Sequence, residues 1–196
     1  THGTEERNGV DGRARSSCDS VWRVPEPTPW QRQWFERPFG DGLIVAETGS
    51  GKTWAAVRQM VEHYGSEWES AVIVCTKTTM PTIVRVARNA FDALVARPAG
   101  TRFVVQQMPD GAVAVCAQAQ WTRTEGMVLR RQAATVPVVV GGLVKVWPLG
   151  TDAPTHGKYR RVCEREGATI TLEGVPASCH VTYNVVWPIV WLVSHQ

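Results

Sequence analysis

The sequence has no two cysteines close enough for a metal knuckle or a redox CxxC pair. Cys18, Cys75, Cys116, Cys163 and Cys179 are scattered, and the nearest two, Cys163 and Cys179, are 16 positions apart. An odd, dispersed set matches a reducing, cytoplasmic compartment. The five histidines (His2, His63, His156, His180 and His195) form no HxxxH or HExxH pattern, so no metal site is assigned to them. Long apolar runs are also missing. The longest covers residues 185–193 and contains Pro188. A membrane-spanning helix needs about 20 apolar residues, so none is expected. Neither sign of charge dominates. Against 18 acidic residues stand 21 basic ones, a net charge of +3, which excludes a histone-like or strongly acidic chain. Lysine is scarce and arginine supplies most of the basic residues. What is present is a 43% apolar chain of 196 residues, enough for one domain with a buried core.

Residues 1–23 are mostly polar and mixed in charge, and are expected to form a disordered tail. The prolines at 25, 27 and 29 mark an extended approach to a short helix beginning near Trp30. Residues 43–46 (LIVA) are a short apolar run before a glycine-rich turn, the pattern of a buried parallel strand. Ala56, Val57, Met60, Val61 and Tyr64 then recur at helical spacing and stop near Gly65. Residues 71–75 (AVIVC) predict a second buried strand. Ile83, Val84, Ala87, Phe91 and Leu94 predict a helix over residues 82–95. Strand, loop, helix, strand, helix is the opening of a doubly wound α/β sheet. Beyond residue 100 the pattern changes to β-leaning runs at 103–107, 112–117, 136–140, 143–147, 169–172 and 180–186, separated by turn signals such as Pro109-Asp110-Gly111. Their order in a sheet is not readable. The basic excess is confined to this part: residues 81–196 carry 12 basic and 7 acidic groups.

The strongest signal is AETGSGKT at positions 46–53, a phosphate-binding loop with Ala46 in place of the first glycine. Gly49 and Gly51 let the backbone turn so that its N–H groups point at phosphate oxygens. The helix that follows adds its positive end. Lys52 reaches the outer phosphates as a mobile charge, and the Thr53 hydroxyl is a Mg²⁺ ligand. The chemistry predicts ATP and Mg²⁺ as cofactors.

Residues 48–53 resemble motif I of superfamily-two helicases and translocases, of the Swi/Snf-like or phage type, whose usual form is A-x-T-G-S-G-K-T. Upstream, PTPWQ at 27–31 resembles the segment of those families that carries an adenine-reading glutamine. The resemblance implies a P-loop NTPase (RecA-like) fold, a parallel sheet flanked by helices. It implies that Gln31 contacts adenine and that Thr48, Gly49, Ser50, Gly51, Lys52 and Thr53 hold the phosphates. The loop after residues 71–75 stands where motif Ia belongs, which implies nucleic-acid contacts from Lys77, Thr78 and Thr79; the alternative is a solvated loop. HVTYN at 180–184 resembles a strand that precedes motif II.

Motif II itself, an apolar strand ending in Asp-Glu, is not found. Nor is a motif VI arginine or a second motor lobe. The expectation is therefore the ATP-binding N-terminal portion of a nucleic-acid-dependent ATPase acting on DNA, lacking its second motor lobe and without hydrolytic competence alone. Its expected parts are a P-loop core at 24–98, a β-rich region at 99–177 and a terminal strand at 178–196. A small-molecule or nucleotide kinase and a non-enzymatic remnant are the alternatives.

Overall fold

A computed structural model of the chain describes residues 24–97, 100–131, 138–174 and 181–195. The expected tail at 1–23 lies outside the described residues, as do His180 and residues 136–137.

The first part forms as its periodicity dictates. Helix α1 (Pro29–Phe35) starts on a proline, whose fixed φ suits the first turn. Helix α2 (Lys52–Glu62) buries Ala55, Val57 and Val61 on one face. Strand β1 (Ala71–Cys75) follows, then α3 (Met80–Leu94), which buries Ala87, Ala90 and Phe91 against the same core. Helix α1 is held to α2 by side chains. Phe35 meets Trp54 edge-on at 5.9 Å, and the Arg58 guanidinium lies 4.5 Å from the Phe35 ring centre.

The second part is built of strands: β2 (Arg102–Gln107), β3 (Val113–Glu125), β4 (Val128–Arg130), β5 (Leu143–Pro148), β6 (Lys158–Glu166), β7 (Thr169–Leu172) and β8 (Thr182–Ser194), with a single helical turn α4 (Ala153–His156) between β5 and β6. Three connections are tight turns: 108–112 between β2 and β3, Gly126-Met127 between β3 and β4, and Gly167-Ala168 between β6 and β7. A parallel crossover needs a dozen or more residues, so turns this short force antiparallel pairing. Gly111 has φ +84° and Met108 N donates to Ala112 O at 2.8 Å, which closes the first of them.

The strands form one eight-stranded sheet in the order β1-β8-β5-β6-β7-β4-β3-β2, with an added β8–β3 pairing. That pairing joins β3, β4, β7, β6, β5 and β8 into a closed ring, with β1 and β2 as outlying strands. Each of these six strands pairs with a neighbour on both sides over part of its length. The 13-residue strand β8 makes this possible. Its first half pairs with β5, its second half runs parallel to β1, and β3 follows its other side antiparallel from Thr182 to Leu192.

Every strand of the ring contributes to one apolar cluster: Trp121 from β3, Leu129 from β4, Val146 from β5, Val162 from β6, Ile170 from β7 and Val185 from β8. Trp121 and Trp187 meet edge to face at its centre, 5.8 Å apart. The same cluster continues beneath α2 and α3 through Val61, Ala87 and Phe91. A smaller cluster of Met108, Ala114, Cys116, Trp147 and Val186 packs separately.

This architecture corrects the expected RecA-like parallel sheet flanked by helices. The sheet is mixed and mostly antiparallel, with β1–β8 its one parallel pair among the described residues, and helices are few. Residues 43–46, expected as a buried parallel strand, are extended but pair with no strand; Leu43 is 79% and Val45 85% exposed. The β-rich region is not an addition to a parallel core. It supplies most of the sheet, because its short turns and the length of β8 let the strands satisfy their hydrogen bonds around a ring.

Candidate functional site

The phosphate-loop residues lie where the extended segment 43–46 turns into α2. Gly49 and Gly51 both have positive φ, +81° and +85°. Gly51 is the residue before the first helical turn and sits in the left-handed region. A Cβ on Gly51 would also stand 2.7 Å from Gln31 Nε2, so the Gln31 amide would have to shift to admit it. Ser50 N donates to Glu47 O at 3.2 Å, closing the turn, and Ala55 N to Gly51 O at 3.0 Å opens the helix. The N–H groups of the first turn have no acceptor within the helix and face outward with the positive end of its dipole.

Lys52 folds back across the loop. Its Nζ donates to Ala46 O at 2.7 Å and to Glu47 O at 2.6 Å. The ammonium is thereby fixed by backbone carbonyls and not by a carboxylate, so its charge is available to an anion. Thr53 projects from the same first turn and is exposed. Thr48 and Gly49 are exposed at the tip. Ser50 Oγ is buried and has no hydrogen-bond partner among the described residues. Glycines at the two turning points, an ammonium laid over the loop and an outward hydroxyl on the first turn together fit a polyphosphate with its magnesium ion.

Gln31 adjoins this loop. It is 5% exposed, and both ends of its amide are engaged: Oε1 accepts from Thr28 N at 2.9 Å and Nε2 donates to Ser50 O at 3.2 Å. It therefore ties the start of α1 to the phosphate loop. The signal was present in the sequence as Thr28-Pro-Trp-Gln31, the Ser/Thr-x-x-Gln spacing of a helix capping box. Trp34 is held nearby, its carbonyl accepting from Gln59 Nε2 at 3.3 Å.

Lys77, Thr78 and Thr79 lie in the exposed turn between β1 and α3. The hydroxyls of Thr78 and Thr79 both bond to that of Thr76, at 3.0 and 2.9 Å. The structure thus brings Gln31 against Ser50 and Gly51, next to Lys52, and places residues 77–79 in an exposed turn.

Among the described residues no group of three or more His, Cys, Asp or Glu side chains is placed to hold a metal ion, and no helix is long and apolar enough to cross a membrane. Comparison of the chain with protein-family models, with curated proteins and with solved structures finds no match.

Proposed function

We propose that the chain binds a nucleoside triphosphate, ATP with Mg²⁺, through residues 46–53, without hydrolysing it alone. The observation that carries this reading is Lys52 laid over its own loop on two backbone carbonyls, at the mouth of a helix whose preceding residue is a left-handed glycine. In the bound state the loop N–H groups and Lys52 would hold the phosphates. Thr53 would contribute a hydroxyl to Mg²⁺, and the ion would neutralise phosphate charge. Gln31, spent on Thr28 and Ser50, holds the loop's shape and does not read the base.

The wider reading, a nucleic-acid-dependent ATPase of the helicase or translocase class with DNA as partner, rests on the A-x-T-G-S-G-K-T resemblance alone, since the sheet is not the RecA-like one which that resemblance implies. A reducing, cytoplasmic setting is supported by the scattered cysteines. Absence of turnover follows from the sequence, where no apolar strand ends in an Asp-Glu pair to activate water.

The test is thermal unfolding with and without Mg·ATP, on the wild-type chain and on Lys52→Ala. A ligand at 100 times its Kd stabilises by about 2.7 kcal/mol. That should raise Tm by several degrees in the wild type and leave the variant unmoved. An equal rise in both proteins, or none in either, refutes the reading.

A further inference from the structure

A second feature lies at the other end of α2, about 16 Å along the helix from Lys52 by its 11-residue length. There the last turns of α2 and α3 meet the barrel, and a cavity of ≈ 330 Å³ opens between them. Its walls are apolar: Val61, Leu94, Phe103, Ala117 and Trp187. An apolar cavity of roughly 150 Å³ already accepts benzene, and small-molecule pockets begin near about 300 Å³.

Among the described residues one cation lines this space. Arg131 follows β4 directly, and its backbone N–H donates to Ala168 O at 3.0 Å, which fixes its place. The residue is only 7% exposed. Its guanidinium donates through Nη2 to Thr101 Oγ1 and stands 5.6 Å from the Trp187 ring centre. None of the ion pairs among the described residues includes it. A buried guanidinium offers five donors, and leaving it without an anion is costly. Two further donors belong to residues that line the cavity. Trp187 Nε1 is buried without a hydrogen-bond partner among the described residues. The Tyr64 phenol is held protonated, since burial and then the nearby Glu69 raise its pKa well above the ordinary value.

We propose that this cavity is a ligand site for a small monocarboxylate with an apolar or aromatic body. The body would fill the space against Trp187 and Phe103, and the carboxylate would take the open face of the Arg131 fork. One buried cation suits one negative charge. A phosphate dianion would find no second cation among the described residues of the wall, and Glu62 at the same cavity is already paired with Arg58.

The experiment titrates 2-naphthoate, and in parallel its neutral methyl ester, into the full chain while following the tryptophan indole N–H resonances by NMR. Trp187 is assigned with Trp187→Phe. The acid should bind saturably and shift the Trp187 signal, with the ester at least about tenfold weaker, since a hydrogen bond to a charged group is lost. Arg131→Met should reduce the acid to the ester's affinity. Leu94→Trp, at a half-buried position, should block both ligands while the fold is retained. Ester binding as tight as the acid, or no saturable shift of Trp187, overturns the proposal. The acid–ester comparison is made on the wild type, so it decides the matter even if Arg131→Met fails to fold.

Discussion

Gln31 and Ser50, 19 positions apart in the chain, are joined by a 3.2 Å hydrogen bond from the side-chain amide to the loop carbonyl. Because Gln31 also closes the first turn of α1, the bond makes helix α1 part of the phosphate loop's support. Gln31→Ala removes both bonds, and since Thr28 is exposed and Ser50 half-buried the loss should be the net worth of each, about 0.5–1.5 kcal/mol. Urea denaturation should show that loss with the slope unchanged, and nucleotide affinity should fall with it.

Gly51→Ala should be worse for binding than its single methyl group implies. The residue stands at φ +85°, and the new Cβ would collide with Gln31 Nε2. Strain of this kind costs about 1–3 kcal/mol. Gly65→Ala provides the control, because it shares the positive φ but meets nothing within 4 Å. Both variants should lose stability in chemical denaturation, and only Gly51→Ala should also weaken Mg·ATP binding.

The closed ring makes an opposite pair of predictions for residues that look alike in sequence. Ile170→Ala, at a fully buried site, should cost about 2–5 kcal/mol. Leu43→Ser and Val45→Ser should change stability by no more than about 0.5 kcal/mol, since both side chains are largely exposed. A parallel sheet with residues 43–46 at its centre would reverse that order, so denaturant midpoints of the three variants distinguish the two folds.

These differences show what was legible in the sequence and what was not. Helices α2 and α3 could be read because their cores are local: Val57 and Val61, or Ala87 and Phe91, fall on one face by spacing alone; β1 forms as a strand but is not the buried one expected, since it lies at the sheet's edge with Val72 and Val74 exposed. Residues 43–46 carry the composition of a buried strand, yet burial depends on a neighbouring strand, and composition does not say whether one arrives. Strand β6 was missed because its sequence, KYRRVCERE, buries only Val162 and otherwise faces solvent. The signal that could have found it is the Glu166-Gly167-Ala168 turn before the apolar Thr169–Leu172. The ring was illegible for a different reason. It depends on β8 pairing with β3 on one side and β5 on the other, and no single stretch of the chain encodes both partners. Of the phosphate loop, the glycines and Lys52 stand together at the start of α2, as their adjacency in the chain dictates, while the capping bond of Gln31 is legible in its spacing to Thr28. Arg131 gave no signal at all, since its burial arises from the junction of helices and barrel.

Alkaline pH should destabilise the protein through its buried thiol. Burial pushes the Cys116 pKa up from the ordinary 9.0 to about 12. The folded state keeps its proton where the unfolded chain has lost it. This contribution is complete below pH 9 and is lost as pH rises toward 12. Stability should therefore fall above about pH 9, by up to about 1.4 kcal/mol per pH unit for one group. Tyr64, also raised by burial, adds the same trend from its higher starting value of 10.0. Urea midpoints across about pH 8–10 should slope downward in the wild type and less in Cys116→Val.

Residues 46–53 are the proposed phosphate site, and ATP binding by the chain rests on them. Calorimetric titration of Mg·ATP and of AMP into the wild-type chain and Lys52→Ala is the most direct measurement. The prediction is saturable ATP binding by the wild type, much weaker AMP binding because the outer phosphates are missing, and no ATP binding by Lys52→Ala. Equal affinity for ATP and AMP, or ATP binding that survives the loss of Lys52, would contradict it.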